Sequence, residues 1–345
     1  MNRTTLRDAG KKMAELASRY VLLLKRARWV TRGIGIVGGL LIITGTVHVA
    51  ALGMITRRCR ATATDCLALE QAIALRANGL PTQSCEAADR LAEELSTKTG
   101  VPRRHYSLVS DAEHFGPDAS AIHLSYARLD FWNLHRAVHE FGHLWAEEYG
   151  SAAGRPQAEF IHSLPSWDPA HAKEFFADVM GAYLAGAAYV YGCLLLDFTP
   201  DRSKTDTHPS GDERAYAVLA AIDRLTNVFD SVTRAQQQQL TEELRQFWET
   251  VRNEAGLTGE PPNARELKAA IGSAVDSLAN QIPAARYYDL SGANQLREVL
   301  GRPNGTRPAG ASGADILNGA WLRRRDEPNR AALIGTRALA MLASV

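Results

Sequence analysis

The pentad His139-Glu140-Phe141-Gly142-His143 constrains this chain more than any other stretch. On an α-helix, residues four apart share one face, offset by about 40°. His139 and His143 can therefore present two imidazole nitrogens to one cation. Glu140 points one step round the helix, too far for comfortable ligation but within reach of a water on that cation. Val138, Phe141, Leu144 and Trp145 flank these residues, as a helix inside a folded core requires. The helix is expected from about Phe131 to Tyr149, stopped by Gly150 and the small residues that follow. The plain alternative is a helix with two partly buried histidines. With 10 histidines in the chain, this spacing arises by chance in roughly a few per cent of such sequences or fewer.

A zinc ion that does chemistry usually takes three protein ligands. A third histidine in the pattern HExxHxxGxxH is excluded, because Ala146 and Tyr149 stand at the two diagnostic positions. A glutamate on a later helix is the other arrangement, and Glu174-Phe175-Phe176-Ala177-Asp178 supplies one. Asp168-Pro169 opens that helix with an N-cap acid and a proline at the first position, and it is expected to run through Tyr191. Glu174 and Asp178 share one of its faces. Glu174 then completes a His139, His143, Glu174 ligand set for one Zn2+ per chain. Asp178 accepts the free ring N–H of a ligating histidine and so fixes its tautomer. Glu140 serves as the general base toward a water that zinc acidifies to a pKa of roughly 7. The alternative, two solvated acids, fits poorly with Phe175, Phe176, Val179 and Met180 around them. His135 lies one turn before His139 and is read as packing or substrate contact, and His171 as a rim residue.

The order HEFGH then EFFAD resembles the gluzincin pattern HExxH…ExxAD of zinc metallopeptidases. Thr207-His208-Pro209-Ser210 and Arg214 extend the likeness to the M48 family, the HtpX-like membrane peptidases, over roughly residues 119–225. The resemblance implies a zincin core, an α+β unit with a small sheet. In it an edge strand at 121–129 precedes the metal helix and the glutamate helix. It also implies that His208 and Arg214 line the site, His208 to stabilise an oxyanion and Arg214 to bind substrate. The implied activity is hydrolysis of a protein or peptide held along the edge strand by strand addition. Members of that family have several membrane spans, whereas this chain has one uncharged run.

That run, Gly33 to Thr56, follows a basic arm of nine Lys and Arg against Asp8 and Glu15. It is long enough for a helix to cross a hydrocarbon layer of roughly 30 Å. Residues 1–32 are read as a cytoplasmic arm and 33–56 as a single transmembrane helix. The remainder is expected outside the cytoplasm, although Arg57, Arg58 and Arg60 weigh the other way. Gly35 and Gly39 form a GxxxG pair through which two copies can associate. Cys59, Cys66 and Cys85 lack zinc-finger spacing; they are read either as partners in a disulfide or as small buried hydrophobes.

The fold expected is mostly α. It has the transmembrane helix, a metallopeptidase-like domain over 57–228 and a helical region over 229–345. Helices are expected near 9–29, 64–78, 85–99, 211–228 (opened by a Ser210/Glu213 capping box), 233–255, 264–281, 291–300, 314–324 and 329–343. A short strand is expected at 105–110. A net charge of +1 from 39 basic and 38 acidic residues gives no footing for nucleic acid. Two other readings use the same residues: a zincin-like binding protein without activity, and a membrane assembly factor with a structural metal. An intact Glu140 argues against the first, and a fourth protein ligand would favour the second.

The uncharged run makes a direct prediction. The full chain should sediment with membranes and resist alkaline carbonate extraction, while a chain beginning at residue 57 should stay in the supernatant. Release of the full chain by carbonate would contradict the span.

Overall fold

The structure, a computed structural model, describes residues 82–101, 130–148, 156–200, 204–287 and 289–344 and the strands 106–110, 114–116 and 121–125. The arm 1–32, the run 33–56, the helices expected near 9–29 and 64–78, and Cys59 and Cys66 lie outside the described residues. Among the described residues no helix is long and apolar enough to cross a membrane. They are mostly helical. In chain order the elements are α1 (Thr82–Thr99), β1 (Tyr106–Ser110), β2 (His114–Gly116), β3 (Ala121–Ser125), α2 (His135–Glu148), α3 (Pro156–His162), α4 (Pro169–Ala185) and α5 (Ala187–Gly192). Then come α6 (Gly211–Val228), α7 (Arg234–Glu254), α8 (Ala264–Gln281), α9 (Ser291–Gly301), α10 (Gly313–Asp326) and α11 (Ala331–Ala343).

Helix α4 is the hub. Asp168, in extended conformation, accepts a hydrogen bond from the Ala170 N–H at 2.7 Å, and Pro169 occupies the first turn. From Phe175 to Ala185 every residue is buried, as befits a helix covered on all sides. α2 packs closely along it at Gly142. A side-chain carbon at that position would come within 3.1 Å of the Cα and carbonyl of Ala177. Trp145 stacks on Phe176 with ring centroids 6.3 Å apart. The glycine inside the HEFGH pentad thus lets the histidine helix approach the glutamate helix.

The helix expected to run through Tyr191 stops at Ala185. Gly186 has φ 58°, a left-handed backbone that L side chains avoid, and the chain restarts as α5. A π-helical turn, Cys193–Asp197, follows. Such a break strands polar backbone groups in a dry region. Asn318 of α10 takes up both sides of it. Its Oδ1 accepts from the Ala188 N–H at 2.9 Å, and its Nδ2 donates to the Ala185 carbonyl at 2.7 Å.

The sheet has the order β1-β3-β2, with β3 parallel to β1 and antiparallel to β2. Of the strand expected at 121–129 the structure describes Ala121–Ser125, which among the described residues is central rather than an edge; residues 126–129 lie outside the described residues. Alternating residues report a half-buried strand but not how many neighbours it has. Its partner His114–Gly116 is too short to show a period. β2 is the edge strand that packs beside α2.

Ser210 opens α6 with the expected capping box: Ser210 Oγ accepts from the Glu213 N–H at 3.2 Å, and Glu213 Oε2 from the Ser210 N–H at 3.0 Å. The helices after residue 228 share one hydrophobic core with those before it. The Tyr183 hydroxyl donates toward the carbonyls of Leu278 and Ile282, joining α4 to the end of α8. Trp321 of α10 stacks on Tyr191 and meets Trp132, just ahead of α2, edge-on.

Replacing Ser210 by alanine should cost about 1 kcal/mol. For a chain of this size, thermal unfolding should then show a drop of roughly 2–4 °C. An unchanged midpoint would mean that the cap contributes nothing to α6.

Candidate metal centre

His139 and His143 project from one face of α2, their rings edge-on with centroids 4.8 Å apart. Glu174 approaches from the second turn of α4. Its Oε1 lies 3.3 Å from His143 Nε2 and its Oε2 3.3 Å from His139 Nε2. All three side chains keep limited access to solvent, between 12% and 19%. Among the described residues they form the one group of His, Cys, Asp and Glu side chains able to hold a metal ion.

Two details test whether a metal fits. The two Nε2 atoms stand 3.2 Å apart. Ligand nitrogens about 2.0–2.1 Å from a tetrahedral ion are separated by about 3.3 Å, so the spacing is that of two ligands on one centre. Glu174 Oε2 is also buried without a hydrogen-bond partner, as an atom waiting for a cation would be. The donor set fits a metal.

The charges agree. Burial opposes a positive charge on His139, but the carboxylates of Asp178 and Glu174 beside it outweigh that and raise its pKa to about 10. Burial also opposes ionisation of Glu174, yet His139 and His143 hold that carboxyl well below the usual range. Without a metal these groups hold a proton between them, the positive charge that a divalent cation would displace on binding.

Asp178 is fully buried. Arg214 of α6 grips it with two bonds of 2.8 Å, Nε to Oδ2 and Nη2 to Oδ1. Burial works against the charged carboxylate; the charge and the fork of Arg214 overcome it, and the pKa is lowered to about 2. Asp178 Oδ1 lies 3.1 Å from His139 Nδ1, the place for an acceptor that leaves Nε2 facing the metal. Arg214, assigned to substrate by the resemblance, is thereby engaged on Asp178. Its Nη1 reaches to 3.8 Å from Glu174 Oε2, and its guanidinium lies over Phe198.

Glu140 is buried on α2, one residue after His139. His208 stands at the rim, Nε2 3.6 Å from Glu174 Oε2 and 45% exposed, outside the metal-binding group. The turn that carries it is fastened by His171, whose Nε2 donates to the Thr205 carbonyl at 2.7 Å. His135 faces away from the metal group. Its Nδ1 meets the Trp132 carbonyl at 3.0 Å and its Nε2 the Asp197 carboxylate at 2.7 Å, and Arg136 also pairs with Asp197.

Tyr189 was not anticipated. Its hydroxyl donates to Asp178 Oδ1 at 2.7 Å and lies 3.0 Å from His139 Nδ1. In an Ala- and Gly-rich apolar stretch an aromatic residue reads as core. The one available signal was the pair Gly181 and Gly186 within a buried run, where glycine marks close approach or a break.

No known protein family, no curated protein and no solved structure matches this chain.

Replacing Arg214 by alanine leaves a buried carboxylate without its cation. The metal-free protein should lose about 3–5 kcal/mol, measured by denaturant unfolding. A loss below about 1 kcal/mol, the size of an exposed pair, would contradict this account of the pair.

Proposed function

We propose that this protein is a zinc-dependent endopeptidase with His139, His143 and Glu174 as metal ligands and Glu140 as general base. The observation that carries the proposal is the ligand triangle, with its 3.2 Å separation of imidazole nitrogens and Glu140 between the two histidines on the same helix. Three ligands of this kind suit zinc and leave a coordination position for chemistry. Neither residue that could turn the site into a closed, structural one is free to do so: His135 is bound to Asp197, and Asp178 to Arg214 and Tyr189. This supports the enzyme over the structural-metal reading.

Zinc, when bound, supplies Lewis acidity to a water and to the scissile carbonyl. Glu140 takes the proton of the attacking water and delivers it to the leaving amine. His208, exposed at the rim, is assigned to the developing oxyanion. Arg214 holds Asp178 in place and presents Nη1 toward the substrate side of Glu174. An extended peptide is taken up by strand addition, with β2, the edge strand beside α2, as the receiving edge. The full chain is assigned a membrane anchor at 33–56, through which copies can pair, and a peptidase portion outside the cytoplasm.

Full-length protein in detergent should contain one zinc per chain and cleave casein. Glu140→Gln should keep the zinc and lose about 100-fold or more of the cleavage rate. A Glu140→Gln protein as active as the parent would sink the mechanism, and a parent that binds no zinc would sink the function.

A further inference from the structure

Three donors converge on Asp178 Oδ1: Tyr189 Oη at 2.7 Å, Arg214 Nη2 at 2.8 Å and His139 Nδ1 at 3.1 Å. The Tyr189 oxygen, having given its proton to Asp178, keeps lone pairs and lies 3.0 Å from the same His139 nitrogen. The Nδ1–H of His139 therefore sits between two acceptors. Arg214 Nη2, 3.5 Å from Nδ1, has no lone pair to offer. A proton held on Nδ1 leaves Nε2 as the ring's lone-pair nitrogen, and Nε2 is the atom that faces His143 and Glu174.

The backbone is shaped to bring this hydroxyl there. Gly181 on α4 leaves the space that the Tyr189 ring fills; a side-chain carbon at Gly181 would overlap the ring. Gly186 turns the chain so that α5 folds back over α4. Asn318 then satisfies the backbone groups that the turn exposes. The Tyr189 ring is itself buried, at 1% exposure.

We infer that Tyr189 is a positioning residue for the metal. Its hydroxyl, donor to Asp178 and acceptor for the Nδ1–H of His139, fixes the tautomer and ring plane that aim His139 Nε2 at the ion. This rests on the metal reading proposed above. Partners at this remove from an ion commonly change metal affinity 10–100-fold.

The test uses the full-length protein, zinc as the probe, and competition with a chromogenic chelator as the readout. Tyr189→Phe removes only the hydroxyl and should weaken zinc binding about tenfold. Because the hydroxyl serves Asp178 as well as His139, its loss should cost less in an Asp178→Asn background than in the parent. A Tyr189→Phe protein with parental zinc affinity overturns the inference and leaves the metal reading standing. A parent that binds no zinc removes the metal reading itself. Should Tyr189→Phe not fold, the zinc-loaded parent is examined by NMR. A slowly exchanging Tyr189 hydroxyl proton with a nuclear Overhauser contact to His139 Nδ1–H supports the inference, and a freely exchanging one overturns it.

Discussion

Asp178 carries its negative charge at a point with no solvent exposure, and the arrangement of the site follows from how that charge is accommodated. An isolated carboxylate in such a place would neutralise itself by taking up a proton. Arg214 prevents this with a two-pronged ion pair, and the pair is close to neutral as a unit. Asp178 can then serve as a strong acceptor for His139 without drawing the site into excess negative charge. The remaining charge to be balanced is that of Glu174, which faces the two imidazoles. A divalent ion at their meeting point is what that geometry suits.

The C-terminal helices gain a role from the same logic. Among the described residues, none of them belongs to the metal-binding group. They do hold the broken helix in shape: Asn318 bridges the break at Gly186, and Trp321 packs between Tyr191 and Trp132. Trp132 lies in the turn that leads into α2, and Tyr191 is two residues beyond Tyr189. The α10 helix thus touches the supports of both His139 and Asp178. The region reads as a brace for the centre, consistent with one core shared along the described chain.

The helical framework was legible in the sequence because its signals are local. Asp168-Pro169 and Ser210 with Glu213 mark helix starts by side-chain bonds made within four residues. The HEFGH and EFFAD spacings place their side chains on one helical face whatever else the chain does. What was missed depends on contacts distant in sequence. Nothing near Ala185 announces Asn318, 133 residues away, and without it the break at Gly186 looks like an interior glycine. The resemblance directs Arg214 to substrate, and a sequence alone does not show that Asp178 takes up its fork. The central position of β3 is not legible because its neighbour β2, three residues long, leaves no periodic trace. Tyr189 looked like core and is core; only its hydroxyl has a further part.

The most direct test of the account is zinc-edge anomalous diffraction from crystals of the purified protein. The account predicts one strong peak per chain, bonded to Nε2 of His139, Nε2 of His143 and the Glu174 carboxylate, with the fourth position held by a non-protein ligand beside Glu140. A peak closed by a fourth protein side chain would make the metal structural, and no peak between these residues would contradict the account at its centre.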